Sequence, residues 1–269
     1  MRSSVSFSVL CLFLFCLNKS SNSPKDGSTN NTNHQNIMAF SSGEKLRYRV
    51  TYGFIDAGEA TLELKNTSKK GNGRELLHAI GIGKTLGGFN AFYRVYDTYE
   101  TYLDKESFYP WYFKRRVDEG GYKINQDYTF LQNRKKVKNE NGKIFNIPFA
   151  TQDMISAFYH ARSFNMKNMQ KGKTFEMKVF MDDELFTLKI RYLGDEDIFI
   201  RKGTFRCHKF GPVMQKGRYF EKEDDVNFWI TADANKIPVL VKAKIPVGSV
   251  KLQLVEWGGL SHPLMSKMK

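Results

Sequence analysis

From Ala39 onward the chain alternates. Leu46, Tyr48, Val50 and Tyr52 fall on one side of an extended segment, and Lys45, Arg47, Arg49 and Thr51 fall on the other. This period of two marks a half-buried strand. Ala60, Leu62 and Leu64 resume the alternation after Asp56-Ala57-Gly58, which reads as the turn of an antiparallel hairpin. The charges are the wet face and the stretch is scaffold. Similar pairs recur along the chain. "RKKVKNENGKIFNI" carries Asn141-Gly142 between alternating segments, and Asn-Gly suits the left-handed positions of a tight hairpin turn. "TFEMKVFMDDELFTLKIRYLG" turns at Asp182-Asp183 and "DIFIRKGTFRCHKFGPVM" at Lys202-Gly203. The segment Val226–Trp257 turns at Asp233–Lys236 and again near Pro246–Gly248. Turns spaced at about 8–12 residues predict a meander of antiparallel strands.

One segment has a different period. In "TQDMISAFYHARSF", Met154, Phe158 and Ala161 recur at helical spacing, flanked by Ile155 and Phe164. A helix is predicted over Gln152–Ser163, with Thr151 as its N-cap and Asp153 favoured by the positive end of the helix dipole. One amphipathic helix among many strands packs across a sheet. The fold class expected is mainly β: one antiparallel half-barrel or barrel from Ala39 to Gly259 around that helix, with 260–269 as a C-terminal tail. Curved sheets of this kind either fill their interior or enclose a ligand cavity.

The N-terminus changes the setting. "MRSSVSFSVLCLFLFCLNKSSNS" has Arg2, an apolar run from Val9 to Leu17, then small polar residues. The run is shorter than the roughly 20 residues that span a bilayer and fits a secretory leader over 1–23, cut after Ser23. A lipoprotein leader is the alternative, with Cys16 as the lipidated residue, although Phe15 stands where a small residue is usual. Pro24–Met38 is polar, Asn-rich and short of large apolar groups, which predicts a disordered linker. The exported chain is placed in a periplasm or cell envelope, without a transmembrane span once the leader is gone.

The composition supplies 22 Phe and 13 Tyr with 41% hydrophobic residues, ample for a core and weighted toward strands. Tyr93, Tyr96, Tyr99, Phe108, Trp111 and Phe113, with Trp229, are the candidates to line a ligand cavity. The formal charge of +14 falls to +12 once Arg2 and Lys19 leave with the leader. For an exported protein the anionic partners at hand are lipid headgroups and polysaccharides rather than nucleic acid. Lys114-Arg115-Arg116, Arg134–Lys138 and Lys216–Arg218 carry much of this charge and read first as solvated faces that discourage edge pairing.

Catalytic motifs are not visible. Of 3 cysteines only Cys207 follows the leader, so no internal disulfide forms, and its place on a strand face reads as a buried, inert thiol. The 5 histidines show no metal-binding spacing, and no metal or cofactor is expected. "GIGKTLGGFN" lacks the first glycine of a phosphate loop and reads as a turn. No Gly-x-Ser-x-Gly elbow occurs. Asp182-Asp183 and Glu223–Asp225 read as solvated turn residues.

Five stretches together carry a resemblance: "GEKLRYRVTYGFIDAGEATLEL", "YRVYDTYETYLDKESFYPWYF", "QDMISAFYHAR", "GTFRCHKFGPVM" and "FWITADANKIPVLVKAKIPVGSVKLQL". In their order and spacing the chain resembles an uncharacterised family of exported bacterial proteins, a domain of unknown function, over Phe40 to Gly259. The likeness implies one domain, a cell-envelope setting and no established activity. It singles out Gly43, Glu44, Tyr48, Gly58, Asp97, Asp104, Pro110, Asp153, Arg162, Trp229, Thr231, Pro238 and Gly248. Among these, Asp153 and Arg162 are the candidates for buried charge pairing, each with a neighbouring strand. At the level of fold the final stretch also looks like the strands of periplasmic lipoprotein carriers of the Lol type, a family with more helix than this chain offers.

The reading that results is a non-enzymatic envelope protein that binds an apolar or amphiphilic molecule such as a lipid. Its strands would bury acyl chains, and Lys and Arg at the mouth would meet headgroups. The alternatives are an adaptor for another envelope protein and a hydrolase of envelope glycan or lipid whose site the sequence does not reveal.

Overall fold

A computed structural model describes residues 38–213, 225–244 and 248–268. The leader over 1–23 with Cys16, all but Met38 of the linker over 24–38, the cluster Lys216–Arg218, the acidic residues 223–224 and the turn positions 246–247 lie outside the described residues.

Among the described residues fourteen strands form one antiparallel sheet. They are β1 (Lys45–Tyr52), β2 (Ile55–Gly71), β3 (Arg74–Thr85), β4 (Tyr96–Asp104), β5 (Pro110–Glu119), β6 (Tyr122–Leu131), β7 (Lys136–Asn139) and β8 (Ile144–Asn146). The second set is β9 (Thr174–Met181), β10 (Glu184–Ile200), β11 (Gly203–Pro212), β12 (Val226–Thr231), β13 (Pro238–Lys244) and β14 (Ser249–Gly258). Two α-helices among the described residues interrupt them, α1 (Gly87–Phe92) and α2 (Met154–Arg162). Every strand pairs with its neighbour in sequence except β8 with β9. β1 pairs with β14, Val50 facing Leu252, and β8 and β9 stand at the two open edges. The connection between those edges carries α2, so the helix sits where the half-barrel does not close.

The edges are managed rather than left bare, as unpaired strands must be. Just before α2, the Gln152 amide donates to the Lys178 carbonyl and the Phe180 amide donates to the Gln152 carbonyl, both at 2.8 Å. This adds a short parallel segment along β9. The curl of the sheet also brings the β9–β10 turn onto β5, β6 and β7. There Arg115 donates to Asp182 at 2.8 Å, Asn139 to Asp183 at 3.0 Å and the Tyr128 hydroxyl to Asp183 at 3.1 Å. The expectation that this acidic pair is simply solvated is therefore corrected. Both aspartates take positive φ, 51° and 60°, the conformation of a tight hairpin turn, and their carboxylates clamp the far half of the sheet.

Local readings shift in four places. The first hairpin reverses at Gly53-Phe54, not at Asp56–Gly58, and a bulge between Val50 and Thr51 restores the register. Gly58 lies inside β2, where a side chain would collide with the Lys84 carbonyl oxygen of β3. The N-cap of α2 is Asp153, not Thr151, whose hydroxyl donates to the Pro148 carbonyl. "KTLGGFN" is not only a turn, since it forms α1, a short helix with no buried residue. Asn72-Gly73 makes a further tight turn between β2 and β3.

The C-terminal tail is docked along β11. The Arg206 amide donates to the Ser266 carbonyl and the Met268 amide to the Thr204 carbonyl, both at 2.8 Å. Beyond a register shift at Gly194 (φ 120°), the β10–β11 hairpin brings Arg201 to 3.8 Å from Asp56. Cys207 lies in this hairpin, fully buried, and burial pushes its thiol up to about 12.

Candidate functional site: an apolar cavity under the helix

The concave face divides into two parts. Toward β4–β6 it is filled by Tyr99, Phe113, Tyr128 and Phe130. The ring of Tyr128 packs against those of Phe113 and Phe130, and meets Phe180 of β9 edge-on at 5.0 Å. Toward β1, β2 and β9–β14 the wall stands off from α2 and leaves a cavity of about 110 Å³. Met154, Ile155 and Phe158 of α2 form one side, and Ile190, Phe210 and Phe228 face them from the sheet. Tyr48, Thr61, Arg162 and Lys236 are the polar side chains among the described lining residues.

The helix is held rigidly at both ends. At its start Asp153 accepts from the Ile155 and Ser156 amides, each at 2.8 Å, and from the Thr101 hydroxyl of β4 at 2.9 Å. The Ser156 hydroxyl meets the Asp153 amide and completes a capping box. Asp153 is fully buried, and burial pushes its carboxyl up to about 7 against these donors, which favour the anion. At the other end the Lys236 ammonium donates to the carbonyls of Arg162 and Phe164 at 2.9 and 2.6 Å, where a cation complements the helix dipole. Burial, reinforced by the charge of Arg162, lowers Lys236 to about 8.

The charge pairing involves other partners than Asp153. Arg162 makes a two-pronged ion pair with Glu44, the residue just before β1, with both bonds at 2.6 Å. It also donates to the Asn235 carbonyl at 2.9 and 3.1 Å and to the Ala39 carbonyl at 3.0 Å. The rings of Phe40, Phe158 and Tyr159 surround the guanidinium at 5.1–5.6 Å from it. Both charges are closed off from solvent, Glu44 at 0% exposure and Arg162 at 2%. Burial acts to lower the Arg162 pKa, but the Glu44 carboxylate outweighs it and the net shift is upward. Asp153 finds helix amides and a hydroxyl instead of a charge.

Beside this pair stand Tyr48 and Tyr159, whose hydroxyls are buried without a hydrogen-bond partner among the described residues. Burial raises both phenols far above their ordinary value, Arg162 opposing the rise in each case. They stay neutral donors. Tyr48 lines the cavity and Tyr159 does not.

The structure disperses the seven aromatic candidates, and none of them lines the cavity. Tyr99 and Phe113 are packing in the filled half. Phe108 stacks edge-on against Phe40 at 4.8 Å, and Trp111 lies on Gly71, where a side chain could not fit. Tyr93 and Tyr96 point outward, 41% and 47% exposed, near α1 and its protruding Phe92. Trp229 faces away from the cavity because its neighbours Phe228 and Ile230 face into it. Its indole nitrogen donates to Glu196 at 2.7 Å, with Lys209 and Lys242 over the ring. The aromatic-rich stretch from Tyr93 to Phe113 contributes nothing to the lining, whereas Phe158, Phe210 and Phe228, together with aliphatic and methionine side chains from α2 and several strands, line the open side. Of the Lys114–Arg116 cluster, Arg115 is buried and clamped by Asp182, so it is not part of a solvated face.

Among the described residues no group of three or more His, Cys, Asp and Glu side chains is placed to hold a metal. No helix there is long and apolar enough to cross a membrane, which says nothing of strands.

Comparison with known proteins places this architecture. No curated protein matches the chain. Among solved structures, a β-barrel-like protein of the domain of unknown function DUF1849 from Brucella abortus superposes with a TM-score of 0.53 at 9% identity, over 82% of this chain and 98% of its own. That likeness is one of fold. A DUF1089 family protein from Pseudomonas aeruginosa aligns over 85% of this chain and 97% of its own at 6% identity, with a TM-score of 0.28 that carries no argument. The stretch from β1 to β14, which builds the half-barrel and holds every cavity residue, coincides with residues 47–255 matched by one family model, and the chain belongs to that family, DUF3108, proteins of unknown function.

Proposed function

We propose that the protein is a non-enzymatic, exported cell-envelope protein whose cavity shelters the alkyl portion of an apolar or amphiphilic envelope molecule. The observation that carries this reading is the apolar cavity between α2 and the sheet, in a fold whose other half is packed solid. Its supports are chemical. No Asp, Glu, His, Ser or Cys is among its described lining residues; the polar ones are Tyr48, Thr61, Arg162 and Lys236, of which Arg162 is held by Glu44 and Lys236 by two carbonyls. Export rests on the leader-like residues 1–23.

Size limits what the cavity takes. At about 110 Å³ it is somewhat smaller than the engineered apolar cavity of about 150 Å³ that binds benzene. It suits the last few carbons of an alkyl chain. Burying about four methylenes at about 0.8 kcal/mol each yields about 3 kcal/mol, which alone is weaker than millimolar binding. A polar anchor must supply the rest. The test is mass spectrometry of organic extracts from protein purified without detergent, with titration of the apolar fluorophore 1-N-phenylnaphthylamine. An alkyl-bearing species in stoichiometric yield and saturable fluorophore binding are expected. Clean extracts with no saturable binding refute the reading. Intact mass of the mature chain checks export, by loss of residues 1–23 or by acylation at Cys16.

A further inference from the structure

The two ends of the sheet differ in what their turns expose. Strands β1 to β6 run alternately in opposite directions, so their connections fall at one end and then the other. At one end lie Gly53-Phe54 after β1, residues 86–95 with α1 after β3, and Gly120-Gly121 after β5. At the opposite end lie Asn72-Gly73 and residues 105–109 and 132–135, and that set exposes no large apolar side chain. The first set and its flanks expose Phe54, Ile55, Leu86, Phe92, Tyr93 and Tyr122. Phe54 is fully exposed and Phe92 is 93% exposed, so both stand clear of their own fold. Single exposed apolar residues are ordinary, whereas a cluster marks a contact surface. Helix α1 itself buries nothing and carries no charge.

These loops form one rim. The Leu86 amide donates to the Ala57 carbonyl at 3.0 Å, and the Phe89 ring of α1 lies 6.5 Å from that of Tyr52 at the end of β1. The Gly120 amide donates to the Arg94 carbonyl at 2.8 Å, and the Tyr93 ring lies over Gly120 where a side chain would collide. The Gly53 amide donates to the Ser249 carbonyl at 3.0 Å, which sets Lys244, the partner of Ser249 across β13 and β14, beside the first loop. Arg94, Lys123 and Lys244 are exposed around the rim. The exposed carboxylates among its described residues already face cations, Asp56 with Arg49 at 2.5 Å and Asp118 with Lys123 at 4.0 Å. Exposed cations therefore outnumber exposed carboxylates at this end.

We infer that the rim docks on a lipid bilayer that carries anionic headgroups. Phe54 and Phe92 enter the acyl region, Tyr93 and Tyr122 lie at headgroup level, and Arg94, Lys123 and Lys244 meet the lipid charge. The residue types suit these depths: a phenylalanine has no polar atom to keep wet, a tyrosine joins an apolar ring to a hydroxyl that stays hydrated, and cations gain from an anionic surface potential. A protein partner would have to match each crest with a packed pocket, whereas fluid lipid closes around projections on separate loops. None of these residues lines the cavity, so the inference goes beyond the ligand reading and does not depend on it.

The experiment sediments the unacylated chain 24–269 with phosphatidylcholine vesicles, with and without phosphatidylglycerol. Binding is expected with phosphatidylglycerol, and weaker binding without it or in high salt. Phe54→Ser and Phe92→Ser should each weaken binding about tenfold, equivalent to about 1.4 kcal/mol. Ile144→Ser, an exposed apolar position on the edge strand β8, should leave it unchanged. Unchanged urea midpoints show that the variants keep the fold. A polarity-sensitive dye at Asn90→Cys in α1 should shift to the blue on vesicles, and the same dye at Asn133→Cys at the opposite end should not. Cys207 is buried and stays unlabelled. No vesicle binding, equal binding by wild type and the serine variants, or equal dye shifts at both positions overturns the inference. A wild-type dimer that Phe54→Ser/Phe92→Ser disperses, without vesicle binding, also overturns it and assigns the rim to contact between copies. Each of these outcomes leaves the cavity reading standing, because ligand extraction tests that separately.

Discussion

Replacing Arg162 by leucine isolates the energetic centre of the fold. The substitution leaves the Glu44 carboxylate, at 0% exposure, without the two 2.6 Å bonds that compensate its burial. The carbonyls of Ala39 and Asn235 lose their donors as well. Removing one partner of a buried ion pair typically costs about 3–5 kcal/mol, a large share of the roughly 5–15 kcal/mol that holds a domain together. The stranded carboxylate has one escape, which is to take up a proton. At about 1.4 kcal/mol per pH unit above the ordinary carboxylate titration near 4.3, that costs about 4 kcal/mol at pH 7 and about 1 kcal/mol at pH 5. Because protonation rescues the variant at low pH and is lost as pH rises, its deficit relative to wild type should shrink by about 3 kcal/mol from pH 7 to pH 5. Urea unfolding followed by tryptophan fluorescence at the two pH values measures this. The double variant Glu44→Leu/Arg162→Leu should recover most of the loss at pH 7, since it strands no charge. A deficit below about 1 kcal/mol at pH 7, or equal deficits at both values, would mean that water reaches the pair and would refute the argument.

Further outcomes follow from single residues. Asp153 has its carboxyl raised to about 7 from an ordinary value of 3.8, so its contribution to stability is complete below the ordinary value and fades as pH rises through about 7. Asp153→Asn should flatten the fall in unfolding free energy between those limits, a fall of at most about 4 kcal/mol; an unchanged slope would exclude Asp153 as its source. Tyr159→Phe removes a buried hydroxyl without a partner among the described residues and should raise stability by about 1 kcal/mol, read as a higher urea midpoint. Gly58→Ala presses a methyl group on the Lys84 carbonyl oxygen and should cost about 1–3 kcal/mol, whereas a neutral result would mean β2 and β3 separate easily. The Cys207 peptide should stay unlabelled by a thiol reagent in the native protein and label fully in urea, because burial holds the thiol near 12.

Much of the architecture follows from local pattern. The alternation of Leu46, Tyr48 and Val50 against Lys45, Arg47 and Arg49 already states which face of β1 is buried, because side chains on a strand point to opposite sides in turn. The same logic predicts the antiparallel meander, the single amphipathic helix and the inert cysteine. Turn chemistry was legible where left-handed residues are required, as at Asp182-Asp183 and Asn141-Gly142. It misled at Asp56–Gly58, since a glycine that admits a neighbouring strand looks the same as one that makes a turn. Asn72-Gly73 carried an equally strong signal.

What only the tertiary structure decided depends on contacts between distant residues. Glu44 and Arg162 each stood out singly, but their pairing across 118 positions has no periodicity to announce it. Nor does a strand pattern say whether an inward aromatic fills the interior or borders a space. Tyr99 and Tyr48 share the same alternation, and the first is sealed in the packed core while the second lines the cavity. That difference is set by how far the sheet curls before β9 meets β5–β7, and by where α2 rests across the gap. Both are properties of the whole packed sheet, whereas the strands that compose it were written locally, residue by alternate residue.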